Sequence, residues 1–94
     1  MTRYEWDENK NRTNLPDHGV DFETAQQIFN DPNFVTFVES VTDGEERWHA
    51  IGIVYTVVLL VVVHTYRAEG NDEVIRIISC RRAGRHERKL YEEG

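Results

Sequence analysis

The apolar run from Ile51 to Val63 constrains this chain most. It is thirteen residues long and is interrupted only by Gly52, Tyr55 and Thr56. A membrane-spanning helix needs about 20 apolar residues, so the run predicts buried strands joined by a tight turn near Tyr55-Thr56. The segment Glu46 to Val54 has period two: Arg47, His49, Ile51 and Ile53 lie on one face, and Trp48, Ala50, Gly52 and Val54 on the other. Val57 to Tyr66 is apolar on both faces through Val63. That predicts a central strand covered on both sides.

The remaining pattern is read outward from this hairpin. Phe34–Glu39 and Val74–Cys80 predict two more strands, and Gly84–Glu92 a short final helix. Upstream, Asp7 suits a helix cap, with the helix running to about Leu15 before a turn at Pro16-Asp17-His18-Gly19. Phe22, Ala25, Ile28 and Phe29 form one apolar stripe of a second helix, which Pro32 stops. The expected fold class is α+β, in the order ααββββα: two N-terminal helices, a four-stranded antiparallel sheet and a short C-terminal helix. Ninety-four residues suffice for one modest core, so residues 1–94 are expected to form a single domain.

Composition narrows the class. Hydrophobic residues are 39% and charged residues 30% of the chain, a balance that excludes disorder, collagen and a membrane bundle. One cysteine, Cys80, excludes an internal disulfide framework and a cysteine zinc cluster. It fits a reducing cytosol and, inside an apolar strand, reads as a small buried hydrophobe. The stretch Met1 to Asp7 is polar and lacks the apolar core of a signal peptide.

Charge is unevenly placed. The net charge is −6, but residues 1–46 hold three basic and eleven acidic side chains, whereas residues 74–89 hold six basic and one acidic. A polyanion responds to local potential within about 10 Å at 0.1 M salt. The basic stretch is therefore either a solvated helix face or a surface that holds RNA.

No phosphate-binding glycine loop, HExxH or GxSxG motif is present. His18, His49, His64 and His86 share no metal-ligand spacing, and neither a metal nor a cofactor is expected. The informative residues are arginines at strand ends: Arg47, Arg67, Arg76, Arg81 and Arg82. Arg76 interrupts Val74-Ile75-Arg76-Ile77-Ile78, and an unpaired charge in a dry core is costly. It either pairs with Glu46, Glu73 or Glu87, or faces water as part of an anion site suited to phosphate. Strand parity sends Arg76 and Arg81 to opposite faces unless a bulge re-aims one. Glu87 and Tyr91 share one helix face, where Arg81 or Arg82 can bond Glu87 and anchor the helix.

Several stretches together resemble the BrnT toxins of type II toxin–antitoxin modules. They are Trp6-Asp7 with Lys10-Asn11 and Asn14; His18-Gly19-Val20 with Phe22-Glu23 and Ala25; Phe29-Asn30-Asp31-Pro32; Glu46-Arg47 with Ile51-Gly52; Val61-Val62-Val63 to Arg67; and Ile75-Arg76-Ile77-Ile78-Ser79 to Arg81-Arg82-Ala83, Glu87-Arg88 and Tyr91-Glu92. The resemblance implies a RelE/ParE-like fold with the element order given above. It implies a cytoplasmic, translation-blocking ribonuclease that needs no metal. It also implies a ribbon-helix-helix antitoxin partner like BrnA, which neutralises the toxin and through which alone operator DNA is bound. Carried over by position, Arg47, Arg67, Arg76 and Arg81 are the catalytic candidates, with Arg82 as a weaker functional candidate. The sequence departs at Leu15-Pro16-Asp17, where a basic residue commonly precedes His-Gly, and at Cys80, where Ala is usual.

Metal-independent RNA cleavage needs a base for the 2′-OH, an acid for the 5′-oxygen and cations for the phosphorane. Arginine supplies the last but stays protonated. His49, on the same face as Arg47, joins the catalytic candidates as acid or base; Tyr91 is a further possibility, and the base stays unassigned. Arg82, Arg85, Arg88 and Lys89 are the RNA-binding candidates. The competing reading is a non-catalytic, degenerate toxin that binds an antitoxin or nucleic acid. A plain DNA-binding protein is disfavoured, since no short basic recognition helix stands out.

Overall fold

The predicted hairpin is the centre of the sheet in the computed structural model, which describes residues 1–94. In chain order the elements are β1 (Thr2–Trp6), α1 (Glu8–His18), α2 (Phe22–Ala25) continuing as a 3₁₀ turn (Gln26–Asn30), β2 (Val35–Thr42), β3 (Glu45–Val54), β4 (Val58–Glu69), β5 (Asp72–Arg82) and α3 (Arg85–Glu93). Tyr55 and Thr56 make the β3–β4 turn in left-handed backbone, with φ of 54° and 65°. No helix is long and apolar enough to cross a membrane.

The expected ααββββα order with a four-stranded antiparallel sheet is wrong, and so is the RelE-like arrangement that went with it. The sheet has five strands in the order β1-β5-β4-β3-β2. It is mixed, because β1 runs parallel to β5, from Thr2 beside Glu73 to Trp6 beside Ile77. Thr2–Trp6 does alternate, with Tyr4 and Trp6 packed on the core and Arg3 and Glu5 on the other face. Five residues with three polar ones carry too weak a pattern to announce a strand. The partner that makes them one lies some 70 residues away, and parallel pairing has no local turn to reveal it.

Two helix boundaries also move. Helix α1 runs through Pro16 to His18 and ends at Gly19, whose φ of 74° lets its N–H reach the Leu15 carbonyl at 2.7 Å. Proline in the last turn removes only one intrahelical bond there, so the helix carries on. The second helix tightens to 3₁₀ after Ala25, which places Phe29 over the sheet rather than along the helix stripe.

The main core lies between the sheet and α1–α2. It holds Val20, Phe22, Ala25, Ile28, Ala50, Val54, Leu60, Val62, Ile75, Ile77 and Cys80. Trp6 meets Phe22 edge to face with centroids 6.0 Å apart. The opposite face has a smaller core of Ile51, Leu59 and Val61, capped by Leu90 and Tyr91 of α3. The rest of that face is left uncovered by helix.

Two local devices fix the packing. A Cβ on Gly52 would lie 2.8 Å from the Ile28 Cβ and 3.0 Å from its carbonyl oxygen, so only glycine lets the 3₁₀ turn sit down on β3. Asn14 is buried where β1 stops. Its amide donates to the Val20 and Cys80 carbonyls, each at 2.9 Å, and accepts from the Cys80 N–H at 3.3 Å. It replaces the missing strand neighbour of β5. Gly52→Ala is expected to destabilise the fold by about 2 kcal/mol through overpacking. Asn14→Ala is expected to cost about 2–3 kcal/mol, because two carbonyls and an N–H lose their partner. Urea unfolding of both variants checks this, and either one unfolding at the wild-type midpoint would contradict the account.

Candidate functional site

Strand parity separates Arg76 from Arg81, and the structure removes the separation with a bulge. Val63 pairs with Ser79 and His64 with Ile77, so Ile78 has no partner on β4. Beyond it Arg76 pairs with Thr65 and Arg81 with Val61. Both arginines therefore lie on the face that α3 partly covers. Arg67, opposite Val74, shares it, and so do His49, opposite Val63, and Arg47 two residues before it. All five catalytic candidates thus occupy one side of the sheet.

They fall into rows across the strands. One step past the Trp48–His64 pair, Arg47 stands beside Thr65, then Arg76, then Glu5 of β1. The next row holds Phe37, His49, Val63 and Ser79, and the one beyond it ends at Arg81. Successive rows on one face lie about 7 Å apart along the strands, so Arg67 and Arg76 stand on neighbouring rows and Arg81 two rows beyond Arg76. The His49 ring sits between the Arg47–Arg76 row and the Arg81 row, edge-on to Phe37 at 5.3 Å.

Glu5 is the residue that sequence reasoning missed. The partner of Arg76 is not Glu46, Glu73 or Glu87 but Glu5, at 2.9 Å. Its other carboxylate oxygen meets Arg67 at 2.5 Å. Arg67 and Arg76 therefore share one acid, and Arg67 also bonds Glu69 at 3.1 Å. The Arg67 contact first, and Arg76 after it, hold the Glu5 carboxyl below its ordinary range. The available signal was the alternation of Thr2–Trp6, with Glu5 on the polar side. It pointed nowhere without the parallel pairing.

Arg81 bonds Glu87 at 2.9 Å, and the same oxygen accepts the Gly84 N–H at 2.7 Å. This fulfils the expected anchoring of the last helix and half of a capping box. Tyr91 is occupied structurally: its hydroxyl donates to Asp31 at 2.7 Å, and that carboxylate also accepts the Ile53 N–H at 2.9 Å. Arg47 has no ion pair, and its Nε is buried without a partner.

The basic candidates do not all join. Arg82 pairs with Leu60 and points to the other side of the sheet, beside Leu15 and Val20. Arg85, Arg88 and Lys89 are exposed on the outer side of α3. Cys80 is buried, and desolvation raises its pKa to about 11, so it is a core residue and no nucleophile. No group of three His, Cys, Asp or Glu side chains converges as a metal cage. The arginine face is open rather than a cleft, and the largest cavity of the molecule lies on the opposite side.

The family model described as the ribonuclease toxin, BrnT, of type II toxin–antitoxin systems matches residues 6–87. Among solved structures, the 1.1 Å crystal structure of the Brucella abortus ribonuclease toxin BrnT is similar, with a TM-score of 0.60 and 27% identity. The match covers 90% of this chain and 99% of that one. No curated protein sequence matches.

The Arg81–Glu87 pair has a pH signature. Arg81 first, then the Gly84 N–H, lowers the Glu87 pKa from its ordinary 4.5. A carboxylate lowered on folding stabilises above its unfolded pKa and loses that effect as pH falls through the folded value. Glu87→Gln is therefore expected to be less stable than the wild type at pH 7. The gap should close below pH 4.5, as read by thermal unfolding across pH. A gap independent of pH would show that the charge has no role.

Proposed function

The chain belongs to the BrnT family of ribonuclease toxins of type II toxin–antitoxin systems, and from that premise we propose that RNA is cleaved on the arginine face of the sheet without a metal. Membership of a type II system implies an antitoxin partner. The observation that carries the site is the convergence of Arg47, Arg67, Arg76, Arg81 and His49 on one face through the Ile78 bulge.

The chemistry follows from the rows. A phosphodiester lying between the Arg47–Arg76 row and Arg81 meets guanidinium groups on two sides. Those groups stabilise the extra negative charge of the phosphorane. The carboxylates already present do not exhaust them, since each guanidinium has five N–H donors and Arg47 has no acid partner. Glu5 acts as a positioning residue, holding Arg67 and Arg76 side by side through one carboxylate. His49 stands between the rows and is the proton-transfer group, because imidazole can both give and take a proton. Tyr91 is left out, because its hydroxyl is committed to Asp31. Arg85, Arg88 and Lys89 extend the positive potential along α3 for the flanking RNA, while Arg82 points away from this track.

Around this core we place the finer expectations. RNA cleavage blocks translation in the cytoplasm. The antitoxin is a ribbon-helix-helix protein like BrnA, and operator DNA is reached only through the complex with it. Residues 1–94 act as one domain.

Arg76→Ala and Arg47→Ala are each expected to lower RNA cleavage by about 100-fold or more, the scale of removing one transition-state donor. Both should keep the wild-type circular dichroism spectrum. Cleavage of an RNA ladder in excess EDTA is the measurement. Undiminished cleavage by the folded variants would place the site elsewhere. Loss of wild-type cleavage in EDTA would end the metal-free mechanism. Intact RNA with the wild-type protein, EDTA or not, would leave only a binding role.

A further inference from the structure

The largest cavity, of about 420 Å³, lies on the face of the sheet away from the arginine rows. It opens beyond the edge of α2, where the 3₁₀ turn stops covering the strands. Its walls are the rings of Tyr4, Phe29, Phe34, Trp48 and Tyr66. Phe29 is the hub, with centroids 5.8 Å from Tyr4, 5.4 Å from Phe34 and 5.2 Å from His64.

Two polar groups are set among these rings. His64 is only 4% exposed, and its Nδ1 donates to the Val62 carbonyl at 3.3 Å. The ring is neutral, because burial holds its pKa below the ordinary 6.5, so Nε2 is an acceptor. Nε2 has no hydrogen bond in the protein. The only unpartnered side-chain polar atom sealed from solvent is Arg47 Nε. His64 Nε2 is therefore reached from outside, and the cavity that His64 lines is the route. At the rim stands Glu73, the one charged residue of the lining.

We propose that this cavity is the anchor pocket for the antitoxin polypeptide and takes an arginine side chain from a basic segment of it. The proposal rests on the type II reading only in supplying the partner. A guanidinium is planar, cationic and purely donating. The cavity offers the matching set: ring faces for cation–π stacking, an unpartnered acceptor in His64 Nε2 and a carboxylate in Glu73. A phosphate or an acidic peptide would meet Glu73 and the negative ring faces. Beside the cavity, Phe34, Val38 and Val41 are exposed at 37%, 42% and 63%, an apolar strip along β2 for the aliphatic neighbours of the inserted arginine. Docking here uses the back of the sheet, so anchoring of the antitoxin and occupation of the arginine face are separable events.

The test uses the full-length toxin and its full-length cognate antitoxin. Trp48→Ala and Glu73→Arg are each expected to weaken the complex by about tenfold or more in titration calorimetry, while RNA cleavage by the free toxin stays unchanged. Glu73 is exposed, so its reversal tests the idea even if Trp48→Ala fails to fold. In NMR titrations, acetyl-arginine amide should shift the Trp48 indole and His64 ring signals, and acetyl-glutamate amide and adenosine monophosphate should not. Wild-type affinity in folded Glu73→Arg overturns the proposal. So does preferential binding of adenosine monophosphate, or a Trp48→Ala variant that loses RNA cleavage but keeps the antitoxin, since the cavity would then serve RNA. A wild-type toxin that cuts no RNA yet shows the expected antitoxin losses would refute the ribonuclease site and leave this pocket standing.

Discussion

One extra residue in the last strand governs how charge is distributed over this sheet. Without the bulge at Ile78, every side chain beyond it would change sides. Cys80 would leave the core for the helix-poor face, and Arg81 would be driven under α1 and α2. With it, Cys80 stays buried and Arg81 joins Arg76. Asn14 holds the backbone immediately after the bulge by bonding both the N–H and the C=O of Cys80. A buried amide from helix α1 therefore guards the register that aligns the arginines on the far side of the sheet.

The same face shows how an acidic chain gathers arginines on one side of its sheet. The formal charge of −6 is an average over unevenly charged surfaces. Glu5 stands between Arg67 and Arg76, and Glu87 holds Arg81. These acids do not cancel the site. They fix the directions of long, flexible side chains whose ordering would otherwise cost entropy on binding. Partly exposed pairs of this kind contribute little to stability, so their value lies in placement.

The two faces of the sheet also differ in how they are closed. One is packed by α1 and α2 but left open at its end as an aromatic hollow. The other is partly covered by α3, a helix with no fully buried residue. That helix is held by Leu90, Tyr91 and the Arg81–Glu87 contact. The RNA site and the antitoxin pocket proposed above thereby fall on chemically opposite surfaces.

Local pattern by itself determined the central hairpin, the strands on either side of it, the last helix and the arginine set. Alternation and apolar runs act over a few residues and are visible in one dimension. The quoted stretches also carried the family. Tertiary structure alone decided the first strand, the parallel pairing and the identity of the partner of Arg76. Glu5 and Arg76 are separated by 71 residues, and no local propensity links them. It also decided that His49 and four arginines share a face, because a bulge changes parity without changing composition. The hollow around His64 could not be read either: its rings come from five separate segments, and only packing makes them neighbours.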